Sequence, residues 1–237
     1  MIVRMGILRK KDGLTSTSFR NHWRDVHGPI AAQIGGLRRY CQNHVVDAMQ
    51  RGFSYPRGPE VIDGFSQLWF DDLASMQGTL DPHTCKMLAD DEANFIGNLK
   101  LIVAEQRIVI PVATGKPLLK RMSTIKRRAD ISPEKFQREW FEVHAGLVKK
   151  LPQVLGYTQN MIIERAVENG GKSAALDGTY DDIPIDGIVE LWFEDITSLE
   201  AAFASPDGQI LMAHAREFIA EISTFVVETH EVIEAKA

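Results

Sequence analysis

An α+β protein, with one β-α-β-β-α-β unit run through twice, is predicted by three observations. Three separated motifs occur in the same order in both halves of the 237-residue chain. Apolar patterns of strand period and of helix period alternate in the same sequence in each half. A short Pro/Gly-marked segment, Pro111 to Pro117, stands between the halves. Phe19, Trp23, Val26, His27, Tyr40, Gln42 and Asn43 recur 117 residues later as Phe136, Trp140, Val143, His144, Tyr157, Gln159 and Asn160. Asp63-Gly64, Gln67, Trp69-Phe70, Phe95 and Glu105 recur 123 residues later as Asp186-Gly187, Glu190, Trp192-Phe193, Phe218 and Glu228, so about six extra residues precede the third strand of the second half. All 4 tryptophans fall at matched positions, which chance does not readily give for so rare a residue. The expected domains are 1–112 and 117–237, a duplication and not a short-period solenoid, each long enough to bury a core.

In the first half, Ile2 to Arg9 is a strand and Lys10 to Gly13 a turn. A helix follows from about Ser16, with Phe19, Trp23, Val26 and His27 as its apolar face. The second half starts this helix with Ser132 as N-cap and Pro133 in the first helical position. Gly28-Pro29 should bend or end the helix, because proline removes a backbone donor. Strands follow at Leu37 to Val46 and Leu155 to Ile163. The long loops Asp47 to Ile62 and Glu164 to Ile185 are of the kind that is functional or mobile; Gly170-Gly171 in the second reads as a turn. After the Asp-Gly-led strands, helices begin past Asp72 and Asp195, with Thr197 to Glu200 as a capping box. Breaks are expected at Asp81-Pro82 and Ser205-Pro206, and helix resumes over Thr84 to Gly97 and Gln209 to Glu221. Leu101 to Ile110 and Thr224 to Ile233 close the units. This order is the ferredoxin-like split unit, an antiparallel sheet with helices on one face.

The composition, 44% hydrophobic and 25% charged, is that of a globular protein. No apolar run approaches the roughly 20 residues of a membrane helix. The start lacks the order of a signal peptide, so a cytoplasmic location is expected and no membrane partner. A net charge of −5 without a basic block argues against nucleic acid. The one basic stretch, Lys120 to Arg128, reads as a strand end and turn. Cys41 and Cys85 make no disulfide framework. No metal-ligand spacing, P-loop or dinucleotide fingerprint occurs, so no metal or cofactor is expected.

The repeated motifs resemble the EthD family of the dimeric α/β-barrel superfamily. The resemblance lies in F-x-x-x-W-x-x-V-H-G-P at Phe19 to Pro29, in Tyr40-x-Gln42-Asn43 and in D-G-x-x-E-L-W-F at Asp186 to Phe193, and it covers nearly the whole chain twice. It implies a ferredoxin-like unit whose sheet joins a partner's sheet in a barrel. With both units in one chain, it implies an intrachain dimeric α/β barrel. It does not fix the reaction: similar proteins include isomerases, cyclases and decarboxylases of small cyclic compounds and an accessory protein of ether degradation. Each half departs from the pattern. The second has His144-Ala145-Gly146 without the proline, and the first has Gln67 where the pattern has glutamate.

His27 and His144 lie one turn after a tryptophan. Each is either a buried histidine that fixes a helix bend or a general base, since an imidazole titrates near neutral pH. Strand alternation puts Gln67 with Trp69, and Glu190 with Trp192, on one face. If these face the histidines, the second half holds a His144–Glu190 pair and the first a plain His27. Tyr40 and Gln42 share one strand face and Asn43 the other, as do Tyr157, Gln159 and Asn160. Tyr40 or Asn43 is a substrate donor or a packing residue. Trp23, Trp69, Trp140 and Trp192 are core, and core can also be pocket wall. His22, His83 and Cys85 read as surface residues.

Two functions stay open. One is a cofactor-free acid/base enzyme on a small cyclic or aromatic compound. The other is a ligand-binding accessory protein of an oxygenase pathway; a third reading, without a ligand, is a structural oligomer whose motifs are purely packing. The enzyme reading places chemistry in the first half, with His27 as base, Trp23 and Trp69 as walls, and Tyr40 or Asn43 orienting substrate. Its rival placement is the second half, if the reaction needs Glu190. A homodimer of chains is expected.

Overall fold

A computed structural model describes residues 1–78, 81–113, 115–167 and 178–234; Gly170-Gly171 lies outside the described residues. The first half holds β1 (Ile2–Lys10), α1 (Ser16–His22), α2 (Gly28–Ala31), β2 (Arg39–Asp47), β3 (Gly64–Phe70), α3 (Leu73–Gly78), α4 (Pro82–Phe95) and β4 (Ile96–Ile110). The second holds β5 (Leu119–Arg127), α5 (Pro133–Arg138), α6 (Ala145–Val148), β6 (Gly156–Val167), β7 (Gly187–Phe193), α7 (Ile196–Ala204), α8 (Pro206–Phe218) and β8 (Ile219–Ile233). Each half is thus a ferredoxin-like unit.

The two sheets do more than face each other. Their edges pair, β2 with β8 and β4 with β6, and all eight antiparallel strands close into one barrel in the order β1-β3-β2-β8-β5-β7-β6-β4. Closure removes every unpaired edge. It also explains why β4 and β8 each reach 15 residues. Their first parts pair within their own unit and their later parts with the other. These strands start five residues before the expected Leu101 and Thr224, because Phe95 and Phe218 are the last helical residues and the chain turns directly into extended backbone. The whole Leu119–Arg127 segment is strand, so the basic stretch is a barrel stave and not a strand end with a turn.

Val3, Met5, Phe65, Ile102, Met122, Ile188 and Phe225 fill the barrel interior. Ile62 and Ile183, from the loops before β3 and β7, join this core and plug one end. Outside, Phe19, Trp23 and Phe95 seal the first helical layer and Phe136, Trp140 and Phe218 the second. Among the described residues, no helix is long and apolar enough to cross a membrane.

Between α1 and α2, and between α5 and α6, the helix widens into a π turn, Trp23–His27 and Glu139–His144. The bend expected from Gly28-Pro29 therefore arises one turn earlier. It recurs in the second half, which has no proline there, so proline is not its cause. What the halves share is a glutamine: the side-chain amides of Gln42 and Gln159 each donate to the Trp23 or Trp140 carbonyl at 2.8 Å. The wider turn also rotates the face. Phe19, Trp23 and His27 point inward, while Val26 and Val143 are 44% and 46% exposed, contrary to the predicted apolar face. The breaks before α4 and α8 occur where expected, capped by Asp81 and Ser205. The Thr197 capping box does not form; Asp195 caps α7 by accepting from the Ser198 amide at 2.7 Å.

The Asp-Gly pairs have a structural use. Asp63 accepts from the Lys10 amide at 2.9 Å and Asp186 from the Arg127 amide at 2.7 Å. The glycines leave room for tryptophan rings, since a Cβ on Gly64 or Gly187 would lie 2.3 Å from Trp23 or 2.4 Å from Trp140. The loop 47–62 straps the first half to the second. Gln50 and Tyr55 donate to the Ile222 and Ile219 carbonyls at 2.8 Å each, and the Phe53 ring lies 5.0 Å from that of Phe203.

Candidate active site at the open end of the barrel

The strand faces separate the predicted residues into two places. Trp23, His27 and Tyr40, and likewise Trp140, His144 and Tyr157, lie between helices and the outer barrel surface. Asn43, Gln67 and Trp69, with Asn160, Glu190 and Trp192, point into the barrel. No histidine meets Glu190, because the sheet stands between them. The predicted first-half set of His27, Trp23, Trp69 and Asn43 is divided in the same way.

Under the helices, His27 Nδ1 bonds Asp91 at 2.9 Å. Asp91 also accepts from His22 at 2.8 Å, so His22 belongs to this buried network and is not a plain surface residue. Burial lowers the His27 pKa, against the opposing pull of Asp91. In the second half, His144 faces His214 at 3.2 Å, and burial beside that second imidazole pushes it down to about 3. Each histidine reaches a cavity of only about 40 Å³, room for a few water-sized positions. Tyr40 and Tyr157 hydroxyls each bond the glutamine two residues on, at 3.0 and 2.8 Å. Gly28 is closed off from any ligand: a Cβ there would lie 2.9 Å from the Gln42 amide nitrogen.

The barrel end opposite the plug opens into a cavity of about 950 Å³. Its walls include Trp69, Trp192 and the interdomain segment around Pro111 and Pro117. On its floor, the Lys120 ammonium lies 2.6 Å from Glu190 Oε2. Lys120 also donates to Asn43 Oδ1 at 2.9 Å and to Gln67 Oε1 at 3.1 Å. Glu190 Oε1 accepts from Asn160 at 2.7 Å and from Gln67 at 2.8 Å. Burial alone would raise the Glu190 pKa; Lys120 and the two amides outweigh it and bring it below the ordinary carboxylate value. The Arg39 guanidinium stacks 4.5 Å from the Trp69 ring and pairs with Glu231 at the rim. Trp69 donates to Gln106 at 3.0 Å, which in turn donates to Asn160 at 2.9 Å.

The floor therefore places an ionised carboxylate and an ammonium side by side beneath two indole walls. Such a pair can take a proton from a bound molecule and stabilise the oxyanion that results. Lys120, Arg39 and Gln106 were missed by sequence reasoning. The available signal was that matched positions differ together: Val3 and Gln67 in the first half, Lys120 and Glu190 in the second. Among the described residues, no cluster of three His, Cys, Asp or Glu side chains is arranged to hold a metal ion.

The EthD domain family matches residues 11–98 and 128–222. No curated protein matches the chain in sequence. Among solved structures, an anthrone oxidase-like protein is similar over 100% of this chain and 95% of its own, with a TM-score of 0.64 at 9% identity. A candidate monooxygenase from Fusobacterium nucleatum gives 0.61 at 11% identity, over 100% of this chain and 95% of its own. A dye-decolorizing peroxidase from Bacteroides thetaiotaomicron gives 0.51 at 8% identity, over 95% and 92%. At such identities the likeness is one of fold.

Proposed function

Since the chain belongs to the EthD family, we propose that it is a cofactor-free acid/base enzyme whose substrate, a small cyclic or aromatic carbonyl compound, binds in the open barrel end. The observation that carries this reading is the buried Lys120–Glu190 pair on the floor of the one cavity, among those described, that is large enough for such a molecule. Drug-sized ligand pockets run from about 300 to 1,000 Å³. Trp69 and Trp192 supply flat apolar walls.

The substrate carbonyl replaces Asn43 or Gln67 as an acceptor of Lys120. Lys120 then shares its charge with the new oxygen, its hold on Glu190 weakens, and the carboxylate becomes a stronger base. Glu190 takes the proton from the carbon next to the carbonyl. The electron pair moves onto the carbonyl oxygen, where the ammonium stabilises it. Return of the proton to another carbon completes an isomerisation, and loss of a leaving group completes an elimination. The expectation that His27 is the base loses support, because only a few water-sized positions adjoin it.

A second reading has its own observation. On the floor, Lys120, Glu190, Asn43, Gln67 and Asn160 already bond one another, which suits a carrier that binds without turnover, such as an accessory protein of an oxygenase pathway. A panel of lactones and hydroxyaromatics, screened by thermal shift and then for turnover, separates the two. With Glu190→Gln, binding should persist and turnover should fall about 10²–10⁴-fold, the usual contribution of a positioned base. Undiminished turnover would overturn the mechanism, and binding without turnover by the wild type would favour the carrier. The reading includes a homodimer of chains, the commonest symmetric assembly. Sedimentation equilibrium yielding only the 26.6 kDa species would contradict that part.

A further inference from the structure

The outer cavity of the second half contains a buried cation without a counter-ion. Arg121 lies on the outer face of β5 and is 3% exposed. Its guanidinium carbon stacks 4.3 Å from the Phe203 ring and 5.2 Å from the Phe53 ring of the strap loop. The two rings, with centroids 5.0 Å apart, lie to one side of the guanidinium. Its Nε and Nη1 have no hydrogen-bond partner, and neither does the buried Ser123 hydroxyl two residues on. Arg121, Ser123, His144 and Tyr157 line one cavity of about 40 Å³. No acid pairs with Arg121 among the described residues.

The first half shows what is missing. Strand register makes Arg4 the equivalent of Arg121, since Arg4 pairs opposite Leu68 and Arg121 opposite Leu191. The matching cavity is lined by Arg4, His27, Tyr40 and Glu92. On the helix above, Asp91 and Glu92 correspond, at the 123-residue offset, to His214 and Ala215. Both carboxylates are thus absent from the second half, while the arginine remains. Ala215 lines the second cavity where Glu92 lines the first.

A buried guanidinium left unpaired is strongly unfavourable, and a resident anion removes that penalty. We propose that the cavity beneath α8 is a binding site for one small monovalent oxyanion or carboxylate of three or four heavy atoms, held by the Arg121 guanidinium and by the Ser123 hydroxyl. The in-plane N–H groups of a guanidinium suit the oxygens of a planar anion, and the cavity volume holds about three water-sized positions. His144 and His214 face each other at 3.2 Å beside it, and the nearby Glu139 carboxylate pairs with His214 Nε2 at 3.4 Å and not with Arg121. Because Phe53 belongs to the first-half loop, the bound anion also fixes the strap between the halves.

The test is thermal unfolding of the full chain in sodium nitrate and in sodium formate, with ionic strength held constant by sodium gluconate, whose anion is too large to enter. The wild type should gain roughly 5–10 °C at a hundredfold excess over Kd. Arg121→Met should lose that dependence while still folding, because an apolar side chain of similar volume replaces an unpaired charge. Ala215→Glu restores the first half's carboxylate; it should raise the melting temperature without added anion and abolish the response to nitrate and formate. A wild-type melting temperature indifferent to both anions would overturn the proposal. So would an undiminished response in both variants.

Discussion

The Lys120 ammonium and the Glu190 carboxylate, 2.6 Å apart inside the barrel, both come from the second half, and the register-equivalent positions in the first half hold Val3 and Gln67. One half thus carries a neutral pair and the other an ion pair, in otherwise matching staves.

Breaking that pair from one side leaves a buried charge. Lys120→Val should cost about 3–5 kcal/mol, because Glu190 loses its counter-ion within the barrel. The double substitution Lys120→Val with Glu190→Gln copies the first half's residues and should recover most of that loss. Urea unfolding of the wild type and of the single and double variants measures the coupling. Strict additivity of the two single effects would show that the pair is not coupled.

The tryptophan-over-glycine contact makes a second prediction. Gly187→Ala puts a methyl group where Trp140 carbons now lie 2.4 to 2.5 Å from the built Cβ. The ring must shift, at a cost of about 1–3 kcal/mol for overpacking, and Gly64→Ala should act alike through Trp23. By contrast, Gly146→Ala meets nothing within 4 Å and should leave the melting temperature nearly unchanged.

His144 and His44 are expected to contribute to the acid limb of stability. Above about pH 6.5 the imidazole of His144 is neutral in both the folded and unfolded chain and contributes no pH dependence. Below that pH the unfolded chain takes up a proton that the folded chain refuses until about 3, so stability falls across the interval. His44, pushed down to about 4 mainly by burial, acts in the same direction. His144→Phe should flatten the slope of unfolding free energy against pH between about 6.5 and 3. An unchanged slope would mean that the folded protein protonates His144 freely.

Element order was legible because the period of 2 and the helical period are written in side chains such as Phe65, Gln67 and Trp69, and because the repeat supplied a second copy of every motif. The strand faces of Tyr40, Gln42 and Asn43 follow from the same alternation. The π turns were not legible, since they depend on Gln42 and Gln159 reaching from another element to a helix carbonyl. The wider turn then exposed Val26 and Val143. Grouping His27 with Gln67 failed for a related reason: periodicity gives a face, but not which side of the sheet a covering helix occupies. Lys120 was obscured by its basic neighbours, although alternate residues of that run point outward. The Val3-to-Lys120 change, set beside the Gln67-to-Glu190 change, was the available clue.

The central claim is that ligands bind in the barrel end and not beneath the helices. Its most direct test is calorimetric titration of the tightest-binding compound from the lactone and hydroxyaromatic panel. The proteins to compare are the wild type, the Lys120→Val/Glu190→Gln variant and His27→Ala. The barrel-end variant should bind at least about tenfold more weakly, a loss of some 1.4 kcal/mol, while His27→Ala binds as the wild type does. Loss of binding in His27→Ala, with unchanged affinity in the barrel-end variant, would contradict the account and return the site to the helix layer.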